Sequence, residues 1–207
     1  MGTYKTRLPD GSVFGVQEAE LTNFAAAAGL DDIAPGRYSM LFAFKMFLCT
    51  TMEGIESHFI LEELKALEGQ PNFAPPTKPP AQFTEKPLEG MWHKHFFSAR
   101  FVPQNIATHM NKRKVAETVN RIMDPAKSPV VTKELIRELS DAVTQDALKE
   151  RVSQGKLTGE WIVFAKHNGQ NYYLTLASHP SDRGTGDQNI FNEIKAMAYA
   201  QFPFLHA

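Results

Sequence analysis

A single cysteine, Cys49, occurs in the 207 residues, so the chain can form no internal disulfide. Its place in the apolar run Met46-Phe47-Leu48-Cys49 marks a small buried residue rather than an exposed nucleophile, and such thiol usage fits a reducing compartment. An excess of either charge is also missing: 22 Lys and Arg stand against 23 Asp and Glu, a formal charge of −1. No global basic field therefore draws in nucleic acid or an anionic membrane, and any bound anion must be met by a local site. Long apolar runs are lacking too. The longest, Met40 to Leu48, is interrupted by Lys45 and reaches only about half the ~20 residues that span a bilayer. The first ten residues have no signal-peptide core, so a soluble, cytoplasmic protein without a membrane partner is expected. No Gly-x-x-x-x-Gly-Lys loop, dinucleotide fingerprint or Gly-x-Ser-x-Gly elbow occurs, nor any Cys-x-x-Cys, His-Glu-x-x-His or acidic calcium loop. These absences argue against the common nucleotide-dependent and serine-hydrolase classes, and no cofactor is expected.

What is present is ordinary globular material, 43% apolar, 22% charged and 11% aromatic. Pro9-Asp10-Gly11 has turn chemistry between Tyr4–Leu8 and Ser12–Phe14, which predicts an opening hairpin. An Ala-rich helix is predicted over Glu18–Ala28, stopped by Gly29. From Tyr38 to Leu67 the pattern is helical, with Met52, Ile55, Phe59, Ile60, Leu64 and Leu67 on one stripe and Gly54 marking a bend. Prolines 71, 75, 76, 79, 80 and 87 predict an extended connector. One helix is expected from Pro103 to about Met123, and Thr132 caps another that turns Leu135, Ile136, Leu139, Val143 and Ala147 inwards. The clearest strand signal is late. Glu160–His167 and Gln170–Ser178 flank Asn168-Gly169, the preferred two-residue hairpin turn. In that register Trp161, Val163 and Ala165 share a face with Tyr172, Leu174 and Leu176, while Ile162, Phe164, Tyr173 and Thr175 take the other. Both faces are apolar, so both should be covered, one of them by the last helix with its Ile190, Phe191, Ile194, Met197 and Ala198 stripe. The expected class is α+β, mainly helical with a small antiparallel sheet. Residues 1–70, a connector at 71–87 and an α+β region at 88–207 are expected to form one compact domain.

Two places carry candidate chemistry. At the exit from the hairpin, His179 is followed by Arg183, Gly184, Thr185 and Gly186 ahead of the last helix. A helix N-terminus offers unpaired N–H groups, glycines admit close approach, and an arginine adds a bidentate contact, which together make an anion cradle, with His179 beside it as the catalytic acid–base group that phosphodiester cleavage requires. The bland alternative is a turning loop with Asp187 as helix cap. The second place is His93-Lys94-His95. If the segment is a strand, both imidazoles project from one face. The two would then chelate a metal if His109, His179 or a carboxylate supplied a third ligand; alternatively, one histidine and Lys94 would serve acid–base catalysis and charge stabilisation. If it is helical, the pair diverges. The alternative is aromatic packing around Trp92, Phe96 and Phe97.

From Trp92-His93-Lys94-His95-Phe96-Phe97 through the helices to the Asn168-Gly169 hairpin and Ser178-His179, the layout resembles the barnase, EndoU, colicin and RelE-like nuclease superfamily. That resemblance covers about residues 88–179 and is one of layout and residue types. It implies helices ahead of an antiparallel sheet and metal-independent RNA cleavage by histidines with basic and hydroxyl side chains. No residue role is carried over from it. RNA or another phosphate-bearing ligand is the expected partner on this reading. The competing reading is a non-catalytic protein–protein interaction module, which the 15 Phe and 8 Met also suit. The first needs His93 or His95 to share a cleft with His179 or Arg183; the second needs an exposed apolar patch.

Overall fold

In the computed structural model, residues 2–8, 10–73, 75, 77–97, 102–124, 126–127, 130–154, 159–178 and 182–206 are described, with all their side chains except Pro103, Gln104 and Arg183. The chain is α+β, as its patterning predicts. The opening hairpin pairs β1 (Thr3–Arg7) with β2 (Val13–Gln17) in a sheet of its own. Asp10 shapes its turn by accepting from Ser12 N (2.9 Å) and Ser12 Oγ (2.6 Å). α1 (Glu18–Ala28) stops at Gly29, whose φ of +86° only glycine adopts readily. After α2 (Leu30–Ile33), the long helical signal divides at Gly54 into α3 (Met40–Met52) and α4 (Ser57–Leu67).

The second sheet carries the core. Its order is β3 (Ala81–Gln82), β4 (Trp92–Phe96), β5 (Glu160–His167) and β6 (Gln170–Ala177), with every neighbour antiparallel. Between β4 and β5 runs a helical excursion: α5 (Val102–His109), α6 (Lys112–Ile122), α7 (Lys133–Asp141), a π-helical turn (Ala142–Asp146) and α8 (Ala147–Ser153). The single helix expected over 103–123 is thus two. Asn111 starts the second by accepting from Lys114 N at 3.1 Å, a side-chain cap that outcompetes continuation of the first. Thr132 does cap α7, but Ile136 faces outwards at 55% exposure instead of inwards. No helix among the described residues is long and apolar enough to cross a membrane.

Both sheet faces are covered. On one, Phe42 and Met46 of α3 and Ile60 and Leu64 of α4 pack against Phe96, Ile162, Phe164, Tyr173 and Leu176. On the other, Ile190 and Ile194 of α9 (Arg183–Met197), with Ala198 beyond it, pack against Trp161, Val163, Ala165 and Leu174. The hairpin turns at Asn168 (φ +49°) and Gly169 (φ +76°) as its sequence demands. One detail of its register differs. An irregularity between Val163 and Phe164 pairs Val163 with Thr175 and Phe164 with Tyr173, leaving Leu174 as the extra residue. Side chains beyond such a bulge change sides, so Leu176 joins Ile162 in the core under α3 and α4.

The outer edge of β6 is closed by the segment before α3. Tyr173 N donates to Arg37 O (2.8 Å), and Ser39 N to Tyr173 O (2.9 Å). Ser39 also caps α3 and donates its hydroxyl to Leu174 O at 2.6 Å. Beside it, Arg37 forms a two-pronged pair with Glu68 (3.0 and 2.6 Å), and Tyr173 Oη (2.6 Å) and Asn171 Nδ2 (3.2 Å) donate to the same carboxylate. Burial works to raise the Glu68 carboxyl, but these hydrogen bonds and the Arg37 charge together hold it below the usual range.

Candidate active site

β4 settles the geometry of the His-Lys-His run. It is a strand, so His93 and His95 emerge on one face and Lys94 on the other. His93 pairs with Val163 and His95 with Trp161 on β5. The two imidazoles lie 5.8 Å apart between ring centres, nearly perpendicular at 87°. Trp161 sits 4.9 Å from His93 and 6.3 Å from His95. Phe83, arriving from the end of β3, lies 4.6 Å from His93 and 5.5 Å from Trp161. These rings, with Asp187 of α9 and Gln82, line a cleft of about 330 Å³.

The main chain of Gly159 holds His95. Its Nδ1 lies 3.0 Å from Gly159 O and 3.3 Å from Gly159 N, so either neutral tautomer finds a partner there. Only glycine allows this approach, because a Cβ at 159 would fall 1.8 Å from Phe96 O.

Lys94 does not share the cleft. Under the opposite face its Nζ lies 2.7 Å from Glu63 Oε2, donates to Lys78 O at 2.8 Å and donates to the Thr77 hydroxyl. Thr77 in turn donates to Glu63 Oε1 at 2.6 Å. All three side chains are buried. Burial pushes the Lys94 ammonium down and the Glu63 carboxyl up, and their mutual attraction offsets each only in part. The alternation of a strand parts what three consecutive residues had suggested.

The expected anion cradle is also arranged differently. Arg183, Gly184, Thr185 and Gly186 form the first turn of α9 rather than a loop before it. The cap is Asp182, whose carboxylate accepts from Gly184 N (3.2 Å) and Thr185 N (3.4 Å). Hydrogen bonds from Thr185 and then Gly184 hold that carboxyl below its usual range. The N–H groups offered to an anion are thus taken by the chain's own carboxylate. Asp187, read from sequence as a possible cap, instead lines the histidine cleft. His179 lies outside the described residues, as does the Arg183 side chain.

The remaining histidines lie elsewhere. His109 on α5 faces Glu150 at 3.0 Å, and exposed His58 pairs with Glu56. His167 stacks on Phe204 at 4.2 Å. Cys49 is buried, as its sequence setting predicts. Among the described residues no three His, Cys, Asp or Glu side chains are grouped as a metal ion would require.

Sequence reasoning missed Phe83, Gly159 and Trp161 as parts of this site. Phe83 lies in a Pro-rich stretch without periodicity, and only the three-dimensional pairing of β3 with β4 brings it to the histidines. No protein-family model, curated protein or solved structure matches the chain.

Proposed function

We propose that the cleft is a metal-independent acid–base site that cleaves RNA phosphodiester bonds, with His93 and His95 as the proton-transfer pair. The observation that supports this reading is the placement of two imidazoles 5.8 Å apart at one cleft. A phosphodiester flanked by its 2′-hydroxyl and its 5′-oxygen needs one group that accepts a proton and another that donates one, a few ångströms apart. One imidazole takes the 2′-hydroxyl proton as that oxygen attacks phosphorus. The other, as imidazolium, gives its proton to the departing 5′-oxygen. The products are a 2′,3′-cyclic phosphate and a 5′-hydroxyl. Gly159 orients His95 through Nδ1, and Asp187 supplies a carboxylate in the same cleft.

Mixed RNA incubated with purified protein in EDTA tests the reading. Cleavage yielding cyclic phosphate ends is expected, with His93→Ala and His95→Ala each lowering the rate by about 10²-fold or more. Absence of cleavage by folded wild-type protein, or folded variants as active as wild type, rejects it.

A further inference from the structure

One wall of the cleft is a strap, residues 77–85, which includes the edge strand β3 and is tied down at two points. At its start, Lys94 Nζ, on the face of β4 away from the histidines, donates to Lys78 O (2.8 Å) and to the Thr77 hydroxyl, while Glu63 Oε1 accepts from that hydroxyl at 2.6 Å. At its end, Phe83 N donates to Met91 O (2.9 Å) and Gly90 N donates to Phe83 O (3.1 Å), extending the β3–β4 ladder. Along the strap Lys78, Thr84 and Glu85 are exposed, but Phe83 is half-buried against His93 and Trp161. A ring is therefore held at the mouth of the cleft, backed by a second ring, and the histidine pair lies beside both.

Resting on the acid–base reading of the cleft, we infer that Phe83 is its substrate-binding wall, stacking one unpaired nucleobase, and that Lys94 is a positioning residue acting through the strap. The volume of about 330 Å³ is at the small end for ligand sites and fits one nucleotide rather than a duplex. Aromatic rings bind any base by its π-face, which would supply affinity without the basic field that this chain lacks. The buried Glu63–Lys94–Thr77 lock explains a costly arrangement of charges that the chemistry of the cleft does not use: it fixes the register of the strap that carries Phe83.

The test follows the indole N–H resonances of Trp161 and Trp92 in the full chain during titration with purine and pyrimidine nucleoside 3′-monophosphates, with inorganic phosphate alone as control. Nucleotides are expected to shift Trp161, phosphate to leave it still, and Phe83→Ala to weaken nucleotide binding about 10-fold. KM for RNA should rise by a similar factor with kcat within about twofold, because stacking is made equally in ground and transition states. Phe83→Leu, which keeps apolar volume and removes the ring, should weaken binding likewise. The double variant Glu63→Gln/Lys94→Met leaves no buried charge alone, and it should reproduce the KM effect with the cleft histidines intact. Nucleotide affinity unchanged by loss of the ring, an equal shift by phosphate alone, or no nucleotide binding overturns the stacking wall. A double variant with wild-type KM overturns the role of Lys94. Ring-dependent nucleotide binding without RNA cleavage leaves the wall standing and rejects the acid–base reading; cleavage indifferent to Phe83 does the reverse.

Discussion

Substituting Gly159 by alanine should damage fold and site together. The new Cβ would lie 1.8 Å from Phe96 O and 2.9 Å from its carbonyl carbon, whereas real Cβ atoms stay beyond 3.0 Å. The two main chains must therefore part by about 1.2 Å, the difference between 3.0 and 1.8 Å. Neither atom belongs to a flexible side chain that could swing aside. Both lie where β4 ends and β5 begins, so the movement strains the Phe96–Glu160 pairing and pulls Gly159 off His95 Nδ1. Overpacking of this kind costs about 3 kcal/mol. At an m-value of about 1–3 kcal/mol/M the urea midpoint should fall by about 1 M or more. Misplacing a reacting group by about 1 Å also costs about 10²-fold in rate, which RNA cleavage by the still-folded variant would show. Gly15→Ala is the control: the nearest atom to its Cβ is a Thr3 methyl at 3.4 Å, ordinary contact, so its midpoint should stay within experimental scatter. A Gly159→Ala protein with the midpoint and activity of wild type would refute the close approach on which the placement of His95 depends.

Other substitutions probe the remaining supports. Glu68→Gln should cost about 2 kcal/mol at neutral pH, since it weakens four charge-assisted hydrogen bonds and leaves Arg37 half-buried without its anion. The Glu68 carboxyl is held below its unfolded value of about 4.3, so its contribution is present above that pH and lost as pH falls through the lower, folded value. Urea melts between neutral and acid pH should show a shallower acid loss in Glu68→Gln than in wild type. Lys94→Met alone should cost about 3–5 kcal/mol by stranding Glu63, while Glu63→Gln/Lys94→Met should recover much of the loss, a non-additivity that a double-mutant cycle measures. Asp182→Ala should quicken amide exchange at Gly184 and Thr185 and admit sulfate or phosphate to that helix end, which the wild-type carboxylate excludes.

Local signals carried the elements that local chemistry determines. Gly29 ended α1 where the sequence placed it, Asn168-Gly169 turned the hairpin, and the apolar character of both hairpin faces foretold that both would be covered, one by the last helix. What escaped depended on competition or on distance. Whether Asn111 would break a helix was decided by one side-chain bond to Lys114 N against continued main-chain bonding. The irregularity at Leu174 moved Leu176 to the other core, and alternation alone cannot mark where a strand gains a residue. The site was half legible. Period two placed His93 and His95 together once β4 was a strand, and the same period carried Lys94 away. Asp182 rather than Asp187 capped α9 because the helix begins with two glycines in its first turn, against their ordinary preference for loops. Phe83 and the Gly159–Trp161 stretch reach the histidines from two separate segments, and contacts of that range leave no pattern along the chain.

The pH–rate profile of dinucleotide cleavage in EDTA, for wild type, His93→Ala and His95→Ala, tests the central claim most directly. An acid–base pair acting in one step gives a bell-shaped profile in wild type, with activity falling on both sides as one imidazole gains a proton or the other loses it. Each alanine variant, folded by its amide spectrum, should lose about 10²-fold or more in rate and one limb of the bell. A profile that keeps both limbs in either variant, or activity that returns only with added divalent metal, would contradict the account.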